Sequence, residues 1–358
     1  MSDTTPDRMD APSSKRTGAA ATLPERSGAL GTFLPAMRRW ALGTEMAGLL
    51  AFFVVVIIVF SLSSDRFLTS ATFSSIAFQL PELGLLTLAM LVPILSGGLN
   101  LAVTFTANIA ALALAWTFMA FGGPDAAAAT LIPAMLAALI VGLAAGWLTG
   151  AVIAYTGAHP ILVTLSMMIF LRGLGEYLTR GGDITGFPPI MRFLGHGEVL
   201  GVPVPLIIFL IAILTWHITL TRTRNGFATY MVGSNIEATR YGGIDTRRVL
   251  IWIYAMSGLM CALAGIVMAA RFNSVRVGHG ESYLLITVLA CFLGGVDPFG
   301  GFGRVVPVFL ALVILQTMSS GLNLIGANQH LATAVWGLFL IGVMVVRFGW
   351  RGMMRSGP

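Results

Sequence analysis

Long apolar runs separated by short polar connections occupy the chain from residue 46 to residue 347. The longest runs reach the about 20 residues that a helix needs to cross the hydrocarbon layer of a bilayer. The strict apolar and polar alternation of β-strands is absent from them, so helices must satisfy the backbone hydrogen bonds. The pattern predicts an all-α membrane protein with about ten transmembrane helices. The predicted spans are 46–62, 76–96, 99–121, 128–155, 161–179, 204–220, 250–270, 283–296, 304–320 and 331–347.

The composition agrees with a protein whose solvent is lipid. Of 358 residues, 56% are hydrophobic and only 10% are charged, whereas soluble domains carry roughly 25% charged residues. The net charge of +6 does not indicate nucleic-acid binding, because the basic residues lie between and beside the apolar runs, as topology determinants do. Cys261 and Cys291 both lie in apolar runs, which favours small buried side chains and indicates no disulfide.

Arginine positions predict the orientation of the chain in its membrane. Arginines precede the first span, fill the loop 221–249 and follow the last span, and cytoplasmic loops carry such an excess. Six predicted spans lie before this loop and four after it, so both termini and the loop face the cytoplasm. Residues 1–45 are polar and predict a disordered cytoplasmic tail. Residues 46–347 are predicted to form the transmembrane domain, with the cytoplasmic loop 221–249 inside it, and 348–358 a short cytoplasmic tail.

Several kinds of chemistry are excluded by what the chain lacks. Lys15 is the only lysine, so no phosphate-binding loop with a catalytic lysine can form. Carboxylates are nearly absent from the spans, which disfavours ion coupling within this chain. Arg172 and Glu176 are one helical turn apart and favour a structural ion pair over a substrate site. No residue set has metal-ligand or hydrolase spacing, so the sequence predicts neither an enzyme nor a cofactor.

Two similar glycine pairs suggest a weak internal repeat that divides the protein into two halves. Gly97-Gly98-Leu99-Asn100 follows one apolar run, and Gly294-Gly295-Val296-Asp297 follows another. Glycine-interrupted spans in both halves of a transporter point to broken helices near a substrate route. Close packing of membrane helices explains glycine pairs equally well.

The loop 221–249 has the features of a docking site. Ser234 or Asn235 can cap a short helix that carries Glu237 in its first turn, and Gly242-Gly243 can end it. Such a helix with cationic and aromatic residues suits a groove on a soluble partner. A merely solvated connection is the alternative interpretation.

The same loop resembles the cytoplasmic loop of permeases from bacterial ABC sugar importers of the ribose, xylose, arabinose, rhamnose and autoinducer-2 branch. That family has the pattern G-x-x-x-x-A-x-G-x-N-x-x-A-A-x-x-x-G-I, from which this chain departs at Met231 and Thr239. The segments 97–101 and 294–303 also resemble glycine-rich segments of the family, although the acidic residues usual before the second are missing. The residues that match the loop pattern are Gly226, Gly233, Asn235, Ala238, Gly243 and Ile244.

The resemblance implies a permease that translocates a monosaccharide or related polyol as half of a membrane dimer, with a second copy or a paralogue. It further implies an ABC ATPase subunit, a periplasmic sugar-binding protein and surrounding lipid as partners. A permease for branched-chain amino acids or another small solute is the nearest alternative, and an ion-coupled secondary carrier or a passive channel is a more distant one. The predicted ATPase-coupling residues are Gly226, Gly233, Asn235, Glu237, Ala238, Arg240 and Gly243. The predicted translocation residues are Gly97, Gly98, Asn100, Asn108, Gly294 and Gly295, with Thr104 and Asn323 as further neutral hydrogen-bonding candidates.

Overall fold

A computed structural model describes the backbone of residues 30–328, 331–332, 334–342 and 345, with side chains from residue 46 onward in those ranges. The chain divides into two units, Met1–Glu45 and Met46–Pro358, and the features described below belong to the second unit. Helix α1 (Leu30–Ser63) begins before residue 46, where the sequence places the first span. The remainder of the predicted N-terminal tail and the predicted C-terminal tail lie outside the described residues.

Helices make up nearly all the regular structure of the described residues, which confirms the predicted all-α membrane class. Eight of the described helices are long and apolar enough to cross a membrane, namely α1 over Met46–Ser63 together with α2, α3, α4, α5, α7, α10 and α12. The elements after α1 are α2 (Ser70–Leu95), α3 (Val103–Ala120), 3-10 turns at Gly123–Asp125 and Ala128–Thr130, α4 (Leu131–Thr156), α5 (Pro160–Thr179), β1 (Ile184–Thr185), α6 (Pro189–His196), β2 (Glu198–Val199), β3 (Val202–Pro203), α7 (Val204–Arg222), α8 (Arg224–Ser234), α9 (Ile236–Tyr241), α10 (Thr246–Phe272), β4 (Ser274–Val275), α11 (Tyr283–Leu293) and α12 (Val305–Leu324).

One of the ten predicted spans is a much shorter helix in the structure. The span predicted at 283–296 is α11, whose 11 residues measure about 16 Å at 1.5 Å per residue. That length is about half of the hydrocarbon layer, so α11 is a short apolar helix that stops before the second glycine pair. In the span predicted at 331–347, the residues that the structure describes are helical.

Helices α2, α3 and α10 form most of the buried core. The last 16 of the 26 residues of α2, from Leu80 to Leu95, are all buried, although Pro81 and Pro93 lie among them. Helix α4 packs tightly on α10 because both helices carry glycines at their contact. A Cβ atom on Gly146 would lie 2.2 Å from the carbonyl oxygen of Tyr254, so only a glycine allows the two backbones to approach this closely.

Helix α2 connects two different ends of the second unit. Near its start, the Phe78 ring lies 6.4 Å from the ring of His196 in α6. Helix α6 packs on Ala270 at the end of α10, four residues before the start of β4, which pairs with β1. At its last residue, Leu95 contacts α8. We call the end that holds α8 and α9 the coupling end, and the end that holds α6 and β1 the opposite end. The 26 residues of α2 separate the two by about 39 Å.

Candidate functional site

Two short helices, α8 and α9, fill the loop between α7 and α10, and we call them the coupling segment. Each starts at a side chain that accepts a backbone hydrogen bond, as N-caps do. The Thr223 hydroxyl accepts from the Gly226 amide at 3.2 Å, and the Asn235 side-chain oxygen accepts from the Ala238 amide at 2.9 Å. The prediction that Asn235 caps a short helix is therefore confirmed. Helix α8 was not expected from the sequence.

The surface of the coupling segment combines exposed aromatic and charged side chains. Tyr241 is 89% exposed and Phe227 is 62% exposed, although both are large and apolar. Beside Tyr241 on α9, Arg240 and Glu237 form an ion pair of 3.3 Å that is also exposed. Aromatic residues of this kind are enriched in protein interfaces, so this surface is suited to a soluble partner.

The inner side of the coupling segment packs directly on both glycine-rich loops. A Cβ atom on Gly233 would lie 2.0 Å from the Leu95 carbonyl oxygen and 2.6 Å from the Gly301 nitrogen. These two groups also bond to each other, because the Gly301 amide donates to the Leu95 carbonyl at 2.9 Å. Any side chain at 233 would force α8 away from both loops. We call the contact of Leu95, Gly97, Gly233, Gly300 and Gly301 the glycine junction.

Within the glycine junction the two loops also contact each other. Gly300 has φ of +90°, and a Cβ atom there would lie 2.5 Å from the Gly97 nitrogen. Both the backbone conformation and the space therefore require glycine. The Gly97 loop follows α2 and the Gly300 loop precedes α12, so the junction joins the ends of two membrane-spanning helices to α8.

Tyr230 provides a second link between α8 and the loop before α12. Its hydroxyl donates to the Gly303 carbonyl at 2.9 Å. Burial raises the pKa of Tyr230 above its ordinary value, with nearby Arg304 acting weakly in the other direction. The phenol therefore keeps its proton, and its role as a donor, throughout the neutral pH range.

Asn100 and Asn108, predicted to line the route, are each 3% exposed and hydrogen-bonded inside the chain. The Asn100 amide donates to the Ser257 hydroxyl at 2.9 Å and accepts from the Ala102 amide at 3.1 Å. The Asn108 amide donates to the Val277 carbonyl. Both side chains thus join helices in this conformation, and their role in translocation stays a prediction.

The other predicted route residues are separated by the fold. Gly98 faces Pro160 and the Tyr254 hydroxyl, and Gly294 packs on Val308 of α12. Gly295 lies in the turn after α11 with φ of +81°. The remaining two candidates are far apart in the sequence and in burial: Thr104 is buried, whereas Asn323 is exposed near the end of α12.

A buried ion pair joins three helices in the interior, and sequence reasoning missed it. Arg271 at the end of α10 lies 2.8 Å from Glu82 of α2, with side chains 17% and 1% exposed. The Tyr283 hydroxyl of α11 donates to the other oxygen of Glu82 at 3.3 Å. The sequence shows Glu82 as a lone acid early in a span, and its partner is 189 positions away, so no local pattern could pair them.

The predicted ion pair between Arg172 and Glu176 is confirmed at 3.0 Å. Arg172 makes two further contacts that the sequence did not predict, since it lies 3.2 Å from Glu281 and above the Phe105 ring. Among the described residues, no group of histidine, cysteine, aspartate and glutamate could hold a metal ion.

Comparison with known protein families shows which family this chain belongs to. Residues 72–346 match a family described as the branched-chain amino acid transport system permease component. The chain belongs to this permease family. The permease is 30% identical over 311 residues to the autoinducer 2 import system permease protein LsrD of Yersinia enterocolitica, covering 85% of this chain and 92% of the relative. It is 29% identical over 316 residues to LsrD of Yersinia pseudotuberculosis, covering 87% and 92%.

No solved structure matches the permease. The family consists of ABC importer permeases, so the permease is a transport subunit without an ATPase site of its own and a multi-pass protein of the inner membrane. The expected recognition as a permease of the sugar-importer branch is thereby confirmed.

Proposed function

We propose that the permease imports a monosaccharide or related polyol that a periplasmic binding protein delivers. A separate ABC ATPase subunit docks on the coupling segment and supplies the energy. The coupling segment and both termini face the cytoplasm, and the permease works beside a second copy or a paralogue in the lipid bilayer. The relatives are named as permeases for autoinducer 2 import, which supports the importer class. The solute in their name belongs to those relatives and is not assigned to this permease.

The observation that carries this proposal is the glycine junction. Its inner contacts leave no space between α8 and the loops that end α2 and precede α12. The outer surface of the coupling segment presents Phe227, Tyr241 and the Glu237–Arg240 pair. A soluble partner that grips the outer surface therefore acts directly on two membrane-spanning helices.

The packing suggests how ATP-driven closure of the partner moves the helices. Displacement of α8 is passed at Gly233 to Leu95 and Gly301 together, because neither contact can be compressed. Helix α10 follows, since only four residues join it to α9. The last of them, Asp245, is fixed to the start of α10 by bonds from the amides of Arg247 and Arg248 at 3.1 and 3.3 Å. The three helices then rock as rigid bodies and open the opposite end or the coupling end in turn.

A branched-chain amino acid is the second candidate solute, because the family description names that class. The two candidates differ in chemistry: a sugar needs many neutral hydrogen-bonding partners, whereas leucine needs an apolar pocket and partners for both its charges. Uptake of ribose, rhamnose and leucine into proteoliposomes that contain the permease with its ATPase and binding protein separates them. Uptake of leucine alone would replace the sugar proposal by the amino-acid one.

The docking proposal is tested by a matched pair of exposed tyrosines. Tyr241 lies on α9 and is 89% exposed, whereas Tyr177 lies near the end of α5 and is 80% exposed. We expect Tyr241→Ala to lower copurification of the ATPase about tenfold, the effect of removing one aromatic anchor from an interface. Tyr177→Ala should leave copurification unchanged.

Copurification that is equal for the two variants and the wild type would overturn the assignment of α9 as the docking helix. Orientation is tested separately by labelling Tyr241→Cys in intact cells with a membrane-impermeant maleimide. Labelling is expected only after the inner membrane is opened, and labelling in intact cells would place the coupling segment on the wrong side.

A further inference from the structure

A pocket opens at the opposite end, between the start of α2 and the last turns of α12, where polar residues share the lining with exposed hydrocarbon surface. Its volume is about 460 Å³, within the roughly 300–1,000 Å³ that small-molecule sites occupy. No residue that lines it is acidic. Its polar lining residues are Arg66, Thr69, Thr72, Ser75, Gln79, Ser320 and Asn323.

The pocket lies where two helices each turn a polar face toward the other. Thr72, Ser75 and Gln79 follow one another at intervals of three and four residues along α2, and Ser320 and Asn323 are three residues apart on α12. Residues at such intervals share one face of a helix. In otherwise apolar helices, polar faces of this kind turn toward a water-filled cavity or a protein contact rather than lipid.

The floor of the pocket is a built polar surface. Gln316 lies one turn before Ser320, and its amide donates to the Gln79 side-chain oxygen at 3.0 Å. The Gln79 amide in turn donates to the Ser75 hydroxyl at 2.7 Å. This chain of hydrogen bonds fixes the two helices at the base of the pocket and orients the groups that line it.

Ser320 lines the pocket and supplies a hydroxyl whose hydrogen bonds the described part of the chain leaves open. The residue is only 7% exposed, and its hydroxyl has no hydrogen-bond partner among the described residues. A buried polar group without a partner is costly, so a ligand or water must complete it. The exposed residues Arg66 and Asn323 add donors and an acceptor at the rim.

From these observations we propose that the pocket binds a neutral, polyhydroxylated solute of monosaccharide size, before the solute moves toward the coupling end. Hydroxyls and amides both donate and accept, which matches the alternating demands of sugar hydroxyl groups. Leucine fits poorly, because its apolar side chain would leave the Ser320 hydroxyl without a partner, and no acidic lining residue would meet its ammonium group.

The position of the pocket agrees with entry from the periplasm. Helix α2 places it at the far end from the glycine junction, so a coupling segment in the cytoplasm puts the pocket on the periplasmic side. This assignment of the pocket to the periplasmic side rests on the proposed function, which puts the coupling segment in the cytoplasm. The inference adds to that function a named site and the chemical class of the solute that the site contacts.

The first experiment measures uptake of ribose and rhamnose by proteoliposomes with the complete importer. We expect Ser320→Leu, which fills the pocket, to lower uptake about tenfold, and Ser320→Ala to lower it about fivefold, as the loss of one neutral hydrogen bond does. Thr317→Val is the matched control, because the Thr317 hydroxyl already bonds to the Val313 carbonyl in its own helix. Its uptake should equal that of the wild type.

A second experiment does not depend on the folding of core variants. Asn323 is exposed, so Asn323→Cys introduces a reactive thiol at the rim, while Cys261 and Cys291 are buried. We expect ribose or rhamnose to slow the labelling of this thiol by an impermeant maleimide about fivefold or more, and leucine to leave the rate unchanged.

The outcomes separate the two proposals. A wild-type importer that takes up none of the sugars overturns the proposed function together with this inference. Sugar uptake that Ser320→Leu leaves unchanged, or labelling that sugars do not slow, overturns the pocket alone. Equal protection by leucine and by sugars also overturns it, since the site would then lack the proposed selectivity.

Discussion

The glycine junction and the pocket between α2 and α12 lie at opposite ends of α2 and are built on contrary principles. At the junction, a Cβ atom on Gly233 would approach the Leu95 carbonyl to 2.0 Å, so no space remains. At the pocket, about 460 Å³ is open, and the Ser320 hydroxyl lacks a partner among the described residues. One region is filled to the limit of backbone contact, and the other keeps space and hydrogen-bonding capacity.

The difference follows from what each end has to do. Force passes between helices only through contacts that cannot be compressed, and closely packed backbones provide them. A solute needs space and groups that it can leave again, so its site must bind weakly through several modest hydrogen bonds. Substitutions at the glycine junction should therefore impair the transmission of motion, whereas substitutions at the pocket should impair solute binding.

The largest effect is expected at the glycine junction. Gly233→Val should reduce uptake about a hundredfold, because the new side chain must displace α8 from both loops at once. Gly173→Ala is the matched control, since a Cβ atom there has no neighbour within 4 Å. Uptake and ATPase copurification are measured together. Normal uptake with Gly233→Val would show that the junction does not transmit motion.

The buried ion pair between the two ends should have an intermediate effect, on stability. Arg271→Met alone leaves the Glu82 carboxylate buried without its partner, which costs about 3–5 kcal/mol. The double variant Glu82→Leu with Arg271→Met should recover most of this loss, because it buries no charge. Thermal unfolding in detergent compares the variants. Equal loss in the single and double variants would mean that the pair acts through packing rather than charge.

The smallest effect is expected from the exposed pair on α9. The double exchange Glu237→Arg with Arg240→Glu keeps the intrahelical ion pair of 3.3 Å but reverses the pattern of charge seen by a partner. We expect ATPase copurification to fall about threefold and to depend on salt, as exposed interface charges do. Uptake per bound ATPase should remain normal. A fall in uptake per bound ATPase would mean that Glu237 and Arg240 help to pass motion from the ATPase to the helices rather than only to bind the ATPase.

Much of this architecture was readable from local patterns. Apolar runs predicted the long helices, and the Asn235 cap with Gly242-Gly243 predicted α9 because caps and stops act over a few residues. Helix α8 was missed, since Gly226, Asn225 and Gly233 have low helix propensity and packing overrides it. The length of α11 was also overestimated, because the apolar run continues past the residue at which the helix stops.

The sequence alone determined that the chain enters a membrane and that ATP chemistry must come from another polypeptide, and its arginines predict the orientation that the labelling experiment tests. Those properties depend on composition and short spacings, which need no partner. Only the tertiary structure brought the two glycine loops onto Gly233, paired Glu82 with Arg271, and turned the polar faces of α2 and α12 toward each other. Each of these contacts joins residues far apart in the chain, so its formation depends on helix packing that no local pattern encodes.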